Sequence, residues 1–169
     1  MNTTQVLNVA PARPEKGKRK TVFITVDFDG VCAEDEDDIS KYRFTFAGNG
    51  VDAASGQVVC LGEAGNVPEK QYVMRFVLMP GDSIDDVTFQ TPDTSGDFEF
   101  KAGVGACGEL LDGSEFDRAR MKRNGTRIVV RNMKKNSGME LGYQFVVWVT
   151  HLVNGHVKGV PCDPRIINR

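Results

Sequence analysis

The last quarter of the chain constrains its fold more than any other stretch. Tyr143 to Val153 reads as one long strand, Asn154-Gly155 as a two-residue turn, and His156 to Cys162 as the returning strand. Asn-Gly suits a type I′ turn because both central residues take positive φ there, and the twist of that turn matches the strands it joins. The register follows. With Val153 opposite His156, one face carries Leu152/Val157, Thr150/Gly159 and Trp148/Pro161, and the other carries His151/Lys158, Val149/Val160 and Val147/Cys162. Both faces of the longer strand are largely apolar, which places it inside a sheet. Pro161 has no N–H to give to a ladder, so the returning strand belongs on an edge or ends its pairing there.

Upstream, the same period-two pattern recurs. Thr21 to Phe28 alternates, with Val22, Ile24, Val26 and Phe28 on one face; Tyr42 to Phe46 alternates again; and Gln71 to Met79 sets Tyr72, Met74, Phe76 and Leu78 on one side before Pro80-Gly81 closes the run. Gln57 to Leu61, Val87 to Gln90, Phe98 to Lys101 and Thr126 to Asn132 are shorter strand candidates. The one helix-like piece runs from about Ser114 to Lys122, with Ser114 as N-cap and Glu115 and Asp117 in its first turn. Some eight short strands with turns about every ten residues predict an all-β protein: an antiparallel, immunoglobulin-like β-sandwich with at most one short helix. Residues 1–20, broken by Pro11, Pro14 and Gly17 and carrying Lys16, Lys18, Arg19 and Lys20, are expected to be a disordered basic tail before a single domain spanning 21–169.

A chain of 169 residues is long enough for a self-sufficient core. The net charge of −2 argues against general affinity for nucleic acid, although the charge is segregated: Asp27 to Asp38 holds seven carboxylates and no base, whereas Arg118 to Lys135 is strongly basic. No run approaches the roughly 20 apolar residues of a membrane helix, and residues 1–20 lack the apolar centre of a secretion signal. The four cysteines, Cys32, Cys60, Cys107 and Cys162, are widely spaced with no Cys-x-x-Cys pair, so thiols in a reducing cytoplasm are expected, with no cofactor.

Several motifs invite chemistry. Val26-Asp27-Phe28-Asp29-Gly30 resembles the Asp-x-Asp-Gly nucleophile motif of the haloacid-dehalogenase-like phosphatases; the resemblance implies Asp27 as phosphoryl acceptor, Asp29 as acid/base, and Asp82 and Asp86 as magnesium ligands. That family's nucleophile ends a parallel strand buried on both faces and followed by crossover helices, yet Thr21 to Phe28 alternates and no convincing crossover helix lies between Gly30 and Gly81. The acidic run Glu34-Asp35-Glu36-Asp37-Asp38 offers hard oxygen ligands to calcium, or a carbohydrate-binding loop, but its spacing is not that of an EF-hand, and a solvated acidic loop is the simpler reading. His151 and His156 flank the hairpin turn on one face, where exposed histidines are common. Arg118, Arg120 and Arg123 head a basic segment able to meet phosphates or an acidic protein surface; no aromatic platform is interleaved with it in sequence. Trp148 reads as sheet-face packing.

The C-terminal pattern, Arg127-Ile-Val-Val-Arg131, Tyr143-Gln-Phe-Val, the Asn154-Gly155 turn and the closing Asp163-Pro164-Arg165-Ile166-Ile167-Asn168, resembles the bacterial DP-EP family of small immunoglobulin-like domains and, more distantly, the PixA/AidA inclusion-body proteins. The resemblance covers about the last 45 residues and implies a β-sandwich without an assigned reaction. Physically, Asp163 before a proline is biased to extended geometry and can end the hairpin, redirecting Ile166 and Ile167 into the core. The expected role is therefore non-enzymatic: a binding or assembly module that presents loops or sheet edges to a protein partner or to its own copies.

Overall fold

Alternating strands buried on one side must cover those sides mutually, and in the computed structural model they do so as two sheets packed face to face. The structure describes residues 19–49, 51–52, 56–60, 72–89, 100–105, 116–132 and 140–168. In chain order the strands are β1 (Arg19–Phe28), β2 (Tyr42–Gly48), β3 (Val51–Asp52), β4 (Gln57–Cys60), β5 (Tyr72–Pro80), β6 (Ile84–Thr88), β7 (Phe100–Gly105), β8 (Phe116–Lys122), β9 (Arg127–Asn132), β10 (Glu140–His151), β11 (Val157–Cys162) and β12 (Arg165–Asn168). A single 3-10 turn, Ile39–Lys41, is the one helical element among the described residues. The fold is thus all-β and sandwich-like.

Sheet A runs β2-β1-β5-β9-β8, and sheet B runs β11-β10-β12-β4-β3, with β6 and β7 also on β10. Val149 of β10 faces Lys158 of β11 and Val87 of β6, while Leu141 faces Ile166 of β12 and Gly105 of β7, so the long strand is flanked on both sides. Its two apolar faces had required this central place, and β11 lies at the sheet's edge with Pro161 exposed. Most pairings are antiparallel. Two are parallel, β1 with β5 and β12 with β4, because in both cases the chain crosses to the other sheet before returning.

The core lies between the sheets. Val22, Ile24, Val26, Met74, Phe76, Ile128 and Val130 of sheet A meet Phe145, Val147, Val149, Val160, Cys162 and Ile166 of sheet B. Phe145 is the hinge of an aromatic stack, its ring 5.1 Å from Phe76 across the sandwich and 5.3 Å from Phe89.

Four expectations change. The segment expected as a helix to Lys122 is strand β8 from Phe116, paired antiparallel with β9 through a bulge between Asp117 and Arg120; Ser114 and Glu115 lie outside the described residues. Pairing with β9 and the turn at 123–126 outweigh the helix preference of Arg-Ala-Arg-Met-Lys. The β10–β11 register is Thr150/Val157, Trp148/Gly159 and Val147/Val160, two residues from the expected one. A shift of two keeps every side chain on its expected face, since the side-chain period is two. The loop is accordingly longer, closed by His151 N–H to His156 O at 2.9 Å and Gly155 N–H to His151 O at 2.9 Å. Gly155 takes φ +69° but Asn154 is not left-handed, so the turn is not type I′. Finally, β1 begins at Arg19, within the stretch assigned to the tail, and Ile166 enters the core as part of a strand, β12.

Replacing Phe145 with Ala should cost about 3–5 kcal/mol in urea unfolding, because it empties the centre of the stack between the sheets. A loss below about 1 kcal/mol would place the core elsewhere.

Candidate functional site

The chemistry-bearing residues gather at two places: the loop end of the sandwich and the outer face of sheet A. At the loop end, strand β1 stops at Phe28 because Ser83 caps it, its Oγ accepting from Phe28 N–H at 3.2 Å and donating to Phe28 O at 3.0 Å. Gly81 lies so close to this corner that a Cβ there would fall 1.8 Å from Asp27 Oδ1. The acidic loop then folds on its own carboxylates. Asp35 accepts from Val31 N–H at 2.9 Å, Glu36 from Ala33 N–H at 2.8 Å, and Asp38 from the N–H and hydroxyl of Ser40. Ala33, not a glycine, is held at φ +73° in the middle of this network.

Two of these carboxylates also grip the β10–β11 hairpin. Glu36 accepts from the Asn154 amide and pairs with His156 Nδ1 at 3.0 Å, while Asp37 pairs with Lys158. Asn154 in turn accepts from His156 N–H at 3.0 Å. The Glu36 side chain is only 15 % exposed, and its hydrogen bonds, first from Asn154 and then from His156, lower its pKa from 4.5 to about 2. Glu34, Asp37 and Asp38 are exposed, as a solvated loop requires, whereas Asp35 and Glu36 are half-buried and bonded within the fold. Among the described residues no group of three His, Cys, Asp or Glu side chains is placed to hold a metal ion.

Beneath the loop lies a relay that the sequence did not announce. His151 is fully buried, not exposed beside the turn. Its Nε2 is 2.8 Å from the Tyr42 hydroxyl, its Nδ1 is 3.5 Å from Cys32 Sγ, and Phe28 meets its ring edge-on at 4.6 Å. Tyr42 donates its single hydroxyl hydrogen to Glu36 O at 2.9 Å, so it must accept from His151 Nε2–H. Burial lowers the ring's pKa and so disfavours a second proton, which leaves Nδ1 bare at neutral pH to accept from the Cys32 thiol. His151 is thus a neutral imidazole whose two nitrogens are both satisfied. Burial pushes its pKa down, opposed by Glu36 and reinforced by His156; burial, and then the charge of Glu36, raises Tyr42 to about 12. A shared metal between the two histidines has no geometric basis, since His151 turns inward while His156 points to Glu36.

The residues of the phosphatase motif lie at the loop end, with Asp27 beside Gly81. Asp27 is opposite Arg43 in the β1–β2 ladder, Asp29 sits 3.6 Å from the Arg43 guanidinium, and Asp82 and Asp86 are exposed. β1 has a parallel neighbour on one side, and among the described residues only the 3-10 turn Ile39–Lys41 follows it before β2.

The outer face of sheet A carries the opposite charge. Since Val22, Ile24, Met74, Phe76, Ile128 and Val130 point inward, their neighbours point out. Cross-strand partners share that face, giving one row of Phe23, Val77, Arg127 and Lys122 and the next of Thr21, Arg75, Val129 and Arg120. Arg123 follows in the turn. No ion pair with a described carboxylate neutralises Arg75, Arg120, Lys122, Arg123 or Arg127. Arg127 is the crowded member: burial, then the like charges of Arg123 and Arg75, lower its pKa, and its Nε is buried without a hydrogen-bond partner. Arg118 belongs to β8, but its side chain lies outside what is described. Phe23, 40 % exposed, supplies beside these cations the aromatic that the sequence had not shown interleaved with them.

Of the remaining expected sites, Trp148 is half-buried on the outer face of sheet B over Gly159, whose Cβ position is 3.2 Å from the indole ring. Pro164 is buried and Asp163 exposed, with no described hydrogen bond to its carboxylate, so the redirection into β12 rests on the proline and Ile166. No protein-family model matches the chain, and no curated protein matches it either.

The relay sets a pH dependence. His151 has a folded pKa below its ordinary 6.5, so the unfolded chain takes up a proton first, and stability falls as pH drops below about 6.5. Glu36 adds a second fall, as pH passes from 4.5 toward its folded value of about 2. A melting series should be flat near neutrality and descend toward acid in these two stages, with His151→Gln removing the first; it should descend again above about pH 10, where the unfolded Tyr42 phenol ionises before the folded one. A melting temperature that stays constant from neutrality through the histidine range would contradict a buried neutral His151.

Proposed function

We propose that this chain is a non-enzymatic binding module whose working surface is the outer face of sheet A, and that its partner is an acidic protein surface. The observation that carries the reading is the cluster of Arg75, Arg120, Lys122 and Arg127 on one sheet face, with Arg123 in the adjoining turn, none of them ion-paired to a described carboxylate and all interleaved with Phe23, Val77 and Val129. Like charges held together raise the free energy of the unbound protein, and at Arg127 they add to burial in lowering the pKa; an anionic partner relieves that repulsion, and the apolar side chains between the cations supply contact area. Guanidinium groups, dominant in the set, pair with carboxylates bidentately.

The acidic loop is in this reading a structural clasp, since Asp35, Glu36 and Asp38 are engaged within the fold. No helix among the described residues is long and apolar enough to cross a membrane. A cytoplasmic location, supported by the free thiols Cys32 and Cys162, belongs to the same proposal, as do the immunoglobulin-like class, for which the two packed sheets speak, and the DP-EP resemblance of about the last 45 residues.

Titrating the protein with poly-L-glutamate while following backbone amide shifts tests the reading. Shifts are expected on β5, β8 and β9, weakening as salt shortens the Debye length from about 30 Å at 0.01 M to about 10 Å at 0.1 M. Arg120→Glu with Lys122→Glu, both exposed positions, should reduce affinity by on the order of tenfold or more. Shifts confined to other surfaces, or none at low salt, would overturn the reading.

A further inference from the structure

The module described above carries, on its own loop end, a surface of the kind its basic face requires. Leu152 and Val153 at the hairpin tip are 58 % and 81 % exposed, and Val31 and Ile39 in the acidic loop are 57 % and 58 % exposed. Loop and hairpin are fastened together through Glu36 to Asn154 and His156, and Leu152 N–H reaches Ser83 O at 3.3 Å. These apolar side chains therefore share one end of the sandwich with Asp29, Glu34, Asp37 and Asp82, all exposed. The side chains of Asp29 and Asp37 remain 73 % and 91 % exposed despite their cationic neighbours.

We infer that the partner is a second copy of this chain, the acidic loop end of one copy seating on the basic outer face of sheet A of the next. The inference rests on the reading of that face as the working surface. Complementarity is twofold: exposed apolar side chains ringed by carboxylates meet Phe23, 40 % exposed, and Met79, 43 % exposed, beside arginines. The overall charge of −2 leaves little net repulsion between copies while the segregated charges attract. The two surfaces lie at different places on the molecule, so the contact is heterologous. Each copy that docks leaves one face and one end open, and association continues into a ring or an open chain of subunits. The relay beneath the loop end keeps its apolar and acidic groups in one arrangement, as docking of a preformed surface requires.

Sedimentation velocity on the full chain tests this with two variants. The face variant carries Arg120→Glu and Lys122→Glu; the end variant carries Glu34→Gln, Leu152→Ser and Val153→Ser, all exposed residues outside the clasp. Unchanged circular dichroism and melting establish that both fold. The wild-type chain should grow beyond a dimer with concentration at low salt and dissociate as salt rises. Each variant alone should be monomeric. Their equimolar mixture should form a dimer and nothing larger, because it contains one intact face and one intact end. A wild-type chain that stays monomeric, a dimer that never grows, or a mixture that stays monomeric would overturn the inference. If poly-L-glutamate still shifts β5, β8 and β9 in that monomer, the acidic-partner reading stands and only the second copy falls; if a single-stranded oligothymidylate binds there and poly-L-glutamate does not, both fall.

Discussion

The hydrogen bond between His151 Nε2 and the Tyr42 hydroxyl, 2.8 Å long and fully buried, is the contact on which the loop end depends. His151 closes strand β10 of sheet B, and Tyr42 opens strand β2 of sheet A. The same hydroxyl donates to the main chain of Glu36, whose carboxylate holds the hairpin tip. One neutral imidazole thus ties together two sheets, the acidic loop and the turn. Its neutrality is what makes the arrangement affordable in a dry interior, where a charged ring without a counter-ion would be costly.

From that constraint the division of the surface follows. An acidic run left to itself would expand and solvate. Here the backbone N–H groups of Val31, Ala33 and Ser40 and the side chains of Asn154, His156 and Lys158 bond the carboxylates and fix the loop. The basic residues have no such arrangement on their side. They stand in cross-strand rows on a sheet whose opposite face is the core, and none of Arg75, Arg120, Lys122, Arg123 and Arg127 is ion-paired to a described carboxylate.

Much of the fold was legible because alternation is a local signal. Val22 to Phe28 and Met74 to Leu78 declare their buried side one residue at a time, and the apolar double face of β10 gave its central position. Signals that depend on competition between local and distant contacts were harder. Three Asn-Gly pairs occur in the chain, at Asn49, Asn124 and Asn154. The one at Asn124-Gly125 has positive φ at both residues and turns β8 into β9, overriding a helix-favouring composition, while the one at Asn154-Gly155 bends differently because Asn154 is occupied with Glu36 and His156. The site was less legible still. Cys32, Tyr42 and His151 are separated by 119 positions at the extremes, and nothing local in any of them indicates the others. Phe23 and Arg127 become neighbours only through β5.

The account's central claim is that a neutral His151, protonated on Nε2 and bare on Nδ1, fixes the loop end. Long-range proton–nitrogen correlation spectra of the isotope-labelled full chain report ring protonation directly. A single neutral Nε2–H tautomer is expected for His151 at neutral pH, persisting as pH falls below its ordinary value of 6.5. A His151 ring that carries its proton on Nδ1, or that takes up a second proton at or above 6.5, would contradict it.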